Sequence, residues 1–583
     1  MTFASASSWL VGFFFLVLLL AHAREADAKN KNLLFMITET TRADDIEFYR
    51  GLRGLSPSLR GLFSRNGSLI VDQFHADYPL CNPSRTSILL GRSSDSTAVK
   101  TNYVDWRMHP SASSWKSLPK VLREQGWYTI QGGRVFHRGF DDSSAWDRRL
   151  VVQRIIDQEE CQKDRKARKL FMGLGKSIST IIGCSTRARE ESLFDSGVVI
   201  EAKDAIRAYS QSGSDKPFAM FLGFQTAHAP LRVLPKYLFD RTRLKSIIPK
   251  TEPQRIRSDY PSGSYSLVGV KHIVNGRFDS DRSHIPAFIM NGDAFSGDGS
   301  PKSFREALRW LHLSGLRQLD AAIGQLLKRL ENLGYLEDTV VIMTSDHGFA
   351  YGETRLWGKD IPFDVATRVP LLMRVPWLSS KPRTTPQDLI MSSVDLYRTI
   401  TGFLGIANES IPATVGGKDL SPYLSQLSHH SSGEASKGLP VSPSTFAVTQ
   451  VIRCSDPAQC RGTLQAIDIV GYSIRTPDFR YTAFFSALNG LVRDLSKENV
   501  FMEELYDHRG DNATILNPAG TSYVNHEFRN IARDEGSDVI IEGLFTTLVQ
   551  HLSSIERSDV VLPRGAGITR RVPSSERRRR RSG

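Results

Sequence analysis

Long hydrophobic runs are almost absent from this sequence. After an N-terminal run at residues 9–20, no stretch approaches the ~20 consecutive apolar residues that a membrane-spanning helix requires. We therefore expect no stable membrane insertion of the mature chain. Hydrophobic residues make up 40% and charged residues 23% of the 583 residues, which excludes a disordered chain and indicates one large domain plus a smaller one.

The N-terminal run lacks the basic residue that usually precedes the apolar core of a secretion signal. It is nevertheless too short to span a membrane comfortably, and Ala21-His22-Ala23 follows it as an A-x-A cleavage pattern. We expect residues 1–28 to be a cleaved signal peptide, with an uncleaved anchor as the alternative. The predicted localisation is the secretory pathway, ending in the lysosome or outside the cell. Three N-x-S/T sequons agree with this route, namely Asn66, Asn408 and Asn512.

Cysteine is also scarce, with five in the whole chain. In an oxidising compartment, Cys161 with Cys184 and Cys454 with Cys460 would form two local disulfides. Cys81 is then left over, either as a buried free thiol or as a reactive residue.

Acidic residues are nearly missing from the C-terminal end. From Arg564 onward the chain has eight arginines and one glutamate, which account for more than half of the net charge of +13. Like charges in a row repel one another, so residues 563–583 are predicted to be a disordered basic tail. The rest of the chain is mildly basic, which suits a polyanionic substrate, whereas a nucleic-acid partner does not suit a secreted protein.

Three short apolar runs predict central strands of an α/β sheet, at residues 33–37, 218–224 and 339–343. Each run ends in polar residues, and a helix pattern ending at Gly334 precedes the third. In such sheets the ligand site forms at the carboxyl ends of the strands. A Ser-, His- and Gly-rich stretch at residues 427–444 reads as a linker or loop. It separates a predicted catalytic domain (29–440) from a smaller C-terminal subdomain (441–562).

Cys81 begins the sequence Cys-Asn-Pro-Ser-Arg, which ends at Arg85. This C-x-P-S-R core resembles the signature of the sulfatase family, whose cysteine is oxidised to formylglycine during secretion by the formylglycine-generating enzyme. A hydrated aldehyde offers one hydroxyl to attack sulfur, and the other can expel the sulfate by re-forming the carbonyl. A cysteine phosphatase loop is disfavoured because Ser87 stands where its C-x₅-R spacing needs arginine.

The resemblance extends along most of the chain through further matching segments in the family's order, at residues 132–137, 224–230, 345–348, 359–370, 471–476 and 504–507. It implies an alkaline-phosphatase-like α/β fold, with a large, mixed but mostly parallel sheet between helices and a smaller C-terminal α+β subdomain. It also implies a calcium ion, a hard cation that suits carboxylate and sulfate oxygens. The catalytic residues implied are Cys81, Arg85, Arg134, His137, His228 and Lys359. The metal ligands implied are Glu39, Thr40, Cys81, Asp346 and His347.

The chain departs from the family pattern at several positions. Sulfatases of this kind place two aspartates after the first strand, where this chain has Glu39 and Thr40. Thr40 removes one negative charge, so calcium binding should weaken, unless Asp44 or Asp45 reaches in. Arg134 stands where the family commonly has lysine, which keeps the charge but changes its reach.

The sequence thus predicts a hydrolase that removes sulfate from a sulfated uronic acid of glycosaminoglycans, such as iduronate 2-sulfate. One alternative is a catalytically impaired relative that binds sulfated glycans, which the Glu39-Thr40 pair favours. The other is a phosphohydrolase of the same superfamily, against which Cys81 argues because serine or threonine is the usual nucleophile there.

Overall fold

The structure is a computed structural model that describes residues 31–49, 54–152, 183–186, 188–228, 231–240, 242, 302–351, 357–378, 380–429, 445–453, 468–509, 527 and 530–561. The predicted signal peptide, the basic tail and most of the predicted linker lie outside these ranges. Cys184 is disulfide-bonded. Because Cys161, Cys454 and Cys460 also lie outside the described residues, the two pairings stay predictions.

The strands of the described residues are β1 (Asn32–Thr38), β2 (Ser68–Ile70), β3 (Gln73–His75), β4 (Tyr128–Gly133), β5 (Arg148–Arg149), β6 (Gly183–Ser185), β7 (Phe218–Gly223), β8 (Leu231–Val233), β9 (Thr339–Ser345), β10 (Ala350–Tyr351), β11 (Trp357–Gly358), β12 (Leu371–Arg374), β13 (Arg383–Thr384), β14 (Ile390–Ser392), β15 (Ala447–Arg453), β16 (Ile469–Arg475), β17 (Phe479–Ser486) and β18 (Val500–Asp507). The helices are α1 (Pro57–Phe63), α2 (Cys81–Leu90), α3 (Ser94–Thr97), α4 (Leu118–Glu124), α5 (Phe194–Gln211), α6 (Lys302–Asn332), α7 (Asp364–Thr367), α8 (Leu396–Leu404), α9 (Ser421–His429) and α10 (Ser537–Ser554). None of these helices is long and apolar enough to cross a bilayer.

Eight strands form the main sheet, in the order β13-β2-β12-β9-β1-β7-β4-β5. The three predicted strands are its centre, where β1 pairs in parallel with β9 on one side and with β7 on the other. Only β12 runs antiparallel to both of its neighbours. The sheet is therefore mixed but mostly parallel, as predicted.

Helices cover both faces of this sheet. Along β1, Leu33, Phe35 and Ile37 belong to one buried core and Leu34 and Met36 to the other. This alternation explains why the strand is apolar at every position from Leu33 to Ile37. The first core packs against α2, α4 and α8, and the second against α1, α5 and α6. The predicted helix before β9 is confirmed as α6, and Gly334 follows it with a φ of +77°.

A second, antiparallel sheet of β15, β16, β17 and β18 lies towards the C-terminus, and Leu548 and Leu552 of α10 pack against it. Its edge strand β15 bonds directly to the segment between β3 and α2. Gln450 N donates to Asp77 O at 2.8 Å, and Thr449 Oγ1 donates to Ala76 O at 2.7 Å. The predicted fold class is confirmed, and the small sheet is held against the segment that leads into Cys81.

Candidate active site

The predicted site residues converge at the carboxyl ends of neighbouring central strands. Glu39 and Thr40 follow β1, Asp346 and His347 follow β9, and Arg134 follows β4. His228 lies beyond the end of β7. Because these strands are adjacent and parallel, their ends meet at one edge of the sheet.

Cys81 is the first residue of α2 and is fully buried. Pro83 sits in the first turn, where its missing N–H costs no helical hydrogen bond. Gly91 ends the helix with a φ of +60°, and a Cβ there would come within 2.7 Å of Val415. The helix is thereby fixed at both ends, and its N-terminus faces the ends of β1 and β9.

Three side chains approach the Cys81 Sγ atom. Lys359 Nζ lies 2.9 Å away, in the segment that follows β11. Glu39 Oε1 and His347 Nε2 lie 3.2 Å and 3.3 Å away. A cation, a carboxylate and an imidazole therefore surround one buried atom.

Glu39 is a buried carboxylate with several cationic side chains around it. Its Oε2 accepts from Arg134 Nη1 at 2.7 Å, and its Oε1 lies 3.9 Å from His228 Nε2. Burial raises the pKa of Glu39, but the charges of Arg134, His228, Arg85 and Lys359 outweigh burial and hold it well below its usual range. Glu39 is therefore ionised even in mildly acidic surroundings.

Asp346 is the second buried carboxylate of the site, after Glu39. Its Oδ2 accepts from Arg85 Nε at 2.9 Å, and both side chains are fully buried. Its Oδ1 accepts from the backbone N–H groups of Thr40, at 3.1 Å, and His347, at 2.9 Å. Arg85 also donates to Val135 O at 3.2 Å, so it links the end of β4 to the end of β9.

Thr40 contributes its backbone N–H to the surroundings of Asp346. It has a φ of +57°, and its hydroxyl donates to Glu39 O at 2.7 Å. Asp44 and Asp45 do not replace the missing carboxylate. Asp44 pairs with Arg368 at 3.1 Å, and Asp45 pairs with Arg42 at 3.0 Å. Thus Glu39 and Asp346 supply the carboxylates that approach this centre in the described part of the chain.

Burial sets the protonation states of the two softer candidate metal ligands, the His347 imidazole and the Cys81 thiol. It lowers the pKa of His347 to about 4, although Asp346 opposes the shift. The ring is neutral at pH 7, and a proton on Nδ1, 2.9 Å from Gly348 O, leaves Nε2 as an acceptor towards Cys81. Burial likewise raises the pKa of the Cys81 thiol to about 12, with Lys359 opposing. An unmodified Cys81 is therefore a neutral thiol and a poor nucleophile.

The donor set fits a divalent cation. The ligand atoms of Cys81, Asp346 and His347 all lie within 4.8 Å of one another, and Glu39 adds a second carboxylate beside Cys81. The two carboxylates supply the hard oxygen donors that calcium and magnesium take, whereas Cys81 Sγ and the His347 ring nitrogen are softer donors. Each carboxylate is also paired with an arginine, which reduces the negative charge available to an ion.

A second group, formed by Asp364, His508 and Glu527, also has metal-like spacing. Arg480 donates to both of its carboxylates, and Arg475 Nε lies 3.4 Å from Asp364 Oδ1. Two guanidinium groups thus balance the two carboxylates. This group is an ion cluster that joins α7 to the C-terminal sheet, and it was not predicted from the sequence.

His137 and Arg134 line a cavity of about 540 Å³ beside the Glu39–Arg134 pair. The His137 ring stacks on Phe140, with the ring centroids 5.9 Å apart. The structure thus brings Glu39, Cys81, His347 and Lys359 into contact, links Arg85, Asp346, Thr40 and Arg134 to them, and places His137 in the adjoining cavity.

This fold and this centre agree with a family match that places the chain among the sulfuric ester hydrolases. The sulfatase family model matches residues 31–406, and the chain belongs to that family. Among curated proteins it is similar to iduronate 2-sulfatase of Mus musculus, at 26% identity over 82% of this chain and 89% of the relative. It is 26% identical to iduronate 2-sulfatase of Homo sapiens, over 78% of this chain and 84% of the relative. Choline-sulfatase of Rhizobium meliloti is 23% identical, over 63% of this chain and 66% of the relative.

Solved structures share the fold at lower identity. BT4656 in complex with D-glucosamine-2-N,6-O-disulfate has a TM-score of 0.60 and 18% identity, over 90% of this chain and 97% of the other. A phosphonate monoester hydrolase from Silicibacter pomeroyi has the same TM-score and identity, over 90% and 95%. Together with the family match, these likenesses confirm the predicted resemblance and the predicted fold.

Proposed function

We propose that this chain is a formylglycine-dependent sulfatase that removes sulfate from a sulfated uronic acid of glycosaminoglycans, such as iduronate 2-sulfate. The observation that carries the proposal is the surroundings of residue 81. Lys359, Glu39 and His347 all approach its Sγ atom within 3.3 Å, yet burial keeps the thiol neutral. These surroundings suit a nucleophile at residue 81, but the neutral thiol of unmodified cysteine is a poor nucleophile.

Formylglycine at residue 81 would supply a hydroxyl that attacks sulfur and a second hydroxyl whose deprotonation releases the sulfate. Lys359 holds its cationic nitrogen where the sulfate oxygens of a bound ester would lie, so it offsets the charge that develops there. His228, whose Nε2 lies 3.9 Å from Glu39 Oε1, would protonate the departing sugar oxygen. His137 helps to position or deprotonate the aldehyde hydrate.

Glu39, Asp346, His347 and the oxygen of modified residue 81 would hold the cation, with Thr40 fixing Asp346 through its backbone. A bound calcium ion would neutralise sulfate and hydrate oxygens. Arg85 holds the Asp346 carboxylate in place, and Arg134 does the same for Glu39. Both guanidinium groups therefore orient metal-binding carboxylates in this proposal.

The substrate class is proposed from the relatives. Two curated relatives are named iduronate 2-sulfatase, and one structural neighbour is described as a 2-O GAG sulfatase. We further propose entry into the secretory pathway, modification there by the formylglycine-generating enzyme, and delivery to the lysosome or the extracellular space. Asn66 and Asn408 are exposed, as glycosylated asparagines must be.

A catalytically impaired, glycan-binding relative is the second candidate. It is favoured by Thr40, whose hydroxyl is bonded to Glu39 O, and by the pairing of both carboxylates with arginines. Such a protein would bind sulfated saccharides and release no sulfate.

One experiment separates the two candidates. The protein is secreted from eukaryotic cells and deglycosylated, and the mass of its tryptic peptide 66–85 is measured. Sulfate release is then followed with and without calcium from a disaccharide that carries 2-sulfated iduronate, with a glucosamine 6-sulfate disaccharide as the substrate control. Formylglycine with calcium-dependent release from the first substrate supports the sulfatase. Unmodified Cys81, or formylglycine with no release from either substrate, supports the glycan-binding relative.

A further inference from the structure

Asp360, the residue after Lys359, is held from two sides. Its N–H donates to Pro79 O at 2.8 Å, two residues before Cys81. Its carbonyl oxygen accepts from Arg453 Nη2 at 2.6 Å. Asp360 also has a φ of +65°, a left-handed conformation that is uncommon outside glycine and that aspartate adopts more readily than most residues. The backbone next to Lys359 is therefore fixed by contacts that come from elsewhere in the chain.

Arg453 comes from the C-terminal sheet. It is the last residue of edge strand β15, whose Thr449 and Gln450 bond the backbone of Ala76 and Asp77. Its side chain is 7% exposed, and its Nη1 atom lies 3.7 Å from Asp360 Oδ2. Both charge and direct hydrogen bonding thus connect this arginine to Asp360.

We propose that Arg453 is a positioning residue that sets Lys359 against the reacting atom of residue 81. It acts through Asp360, which joins the Lys359 segment to Pro79 and so to the turn that begins α2. The 2.9 Å separation of Lys359 Nζ and Cys81 Sγ is the distance that this connection maintains. The inference rests on the proposed sulfatase function and adds the C-terminal sheet to its catalytic apparatus.

A purely structural role is the alternative, and Arg374 is the matched control. Arg374 on β12 is also a buried arginine that donates to a backbone carbonyl, that of Leu336 at 3.1 Å, and that pairs with an acidic side chain, Glu337. It takes no part in the site. Loss of either arginine removes similar interactions, but only loss of Arg453 should disturb Lys359.

The test compares Arg453→Met, Arg453→Lys and Arg374→Met in the full-length secreted protein at equal folded fraction. We expect Arg453→Met to lower kcat about tenfold or more with KM within about threefold, because catalysis depends steeply on the placement of catalytic groups. Arg453→Lys should recover most of the loss, and Arg374→Met should keep kcat within about twofold of the parent. An Arg453→Met enzyme within twofold of the parent overturns the inference, as does an equal loss in Arg374→Met.

Hydrogen exchange gives a readout that does not need activity. Arg453→Met should speed amide exchange over residues 357–361, whereas Arg374→Met should leave this segment unchanged. If the parent protein releases no sulfate, the proposed function is wrong, and the exchange result alone tests whether Arg453 positions the Lys359 segment. Unchanged exchange over residues 357–361 in Arg453→Met then overturns this positioning role.

Discussion

Lys359 Nζ lies 2.9 Å from Cys81 Sγ across 278 residues of sequence. This contact joins the segment after β11 to the first residue of α2, and both partners are buried. A lysine in this setting cannot be a solvated surface charge. Its cation is directed at the side chain of residue 81, where Sγ occupies the place of the formylglycine oxygen in the proposed chemistry.

Replacing Lys359 with alanine should therefore lower kcat by about 10²–10³-fold, the usual range for removal of one catalytic proton donor or charge-stabilising group. Lys359→Arg should retain part of the activity, because it keeps the charge and changes the geometry. Steady-state sulfate release measures both, and Lys236→Ala on the exposed surface is the control. A Lys359→Ala enzyme within tenfold of the parent would show that this lysine does not take part in the reaction.

Thr40→Asp should tighten calcium binding. It adds a carboxylate beside Glu39, and aspartate tolerates the left-handed backbone at this position. The calcium concentration for half-maximal activity should fall about tenfold, since affinity follows ligand charge. Thr40→Asn is the control of matched size without the charge. Equal effects of the two substitutions would show that charge at this position does not limit calcium binding.

Asp77 should make stability fall as the pH rises from about 4 to 6. Burial raises its pKa from 3.8 to about 6, although the hydrogen bonds from Ser94 and Ser87 oppose the shift. The folded protein therefore binds more protons than the unfolded chain between these values, and its stability decreases on the order of 3 kcal/mol across them.

Asp77→Asn should abolish this part of the pH dependence. Urea unfolding at pH 4 and pH 7 measures the free energy of unfolding of both proteins. The free energy of unfolding of the variant minus that of the parent should be larger at pH 7 than at pH 4. Parallel pH profiles would show that Asp77 is ionised normally in the folded state.

Gly348→Ala should destabilise the loop after β9. A Cβ at this position would lie 2.3 Å from Val365 O and 3.1 Å from Arg42 Cγ. Backbone must move to relieve such a contact, which typically costs roughly 1–3 kcal/mol or more. Gly543→Ala in α10 is the control, because nothing lies within 4 Å of its Cβ and alanine favours a helix by about 1 kcal/mol. Thermal unfolding compares the two, and equal melting temperatures would contradict the predicted clash.

Much of the site could be predicted from the sequence because it depends on strand ends. Apolar runs identified β1, β7 and β9, and parallel pairing brings the residues that follow them together. The partners of the charged groups could not be predicted in this way. The pairs Glu39–Arg134 and Arg85–Asp346 depend on side-chain directions and on a register that only the folded sheet sets.

The role of β15 was the least accessible to prediction. Residues 447–453 fall within the predicted C-terminal subdomain, but no strand was predicted there, and nothing in their pattern shows that the edge of β15 would bond the segment before Cys81. Contacts of this kind depend on the packing of two sheets, and sequence periodicity contains no information about them. Thr40 is similar, since its backbone conformation and not its side chain links it to Asp346.

The contact between β15 and the segment before Cys81 can form only after a delay during synthesis of the chain. Thr449 follows Ala76 by 373 residues, so at ~5–20 residues per second the ribosome makes it roughly 20 to 75 seconds later. Until then the segment before Cys81 cannot receive its final covering strand. Any enzyme that oxidises Cys81, which the finished fold buries completely, must act within that interval or on a chain that has not yet closed.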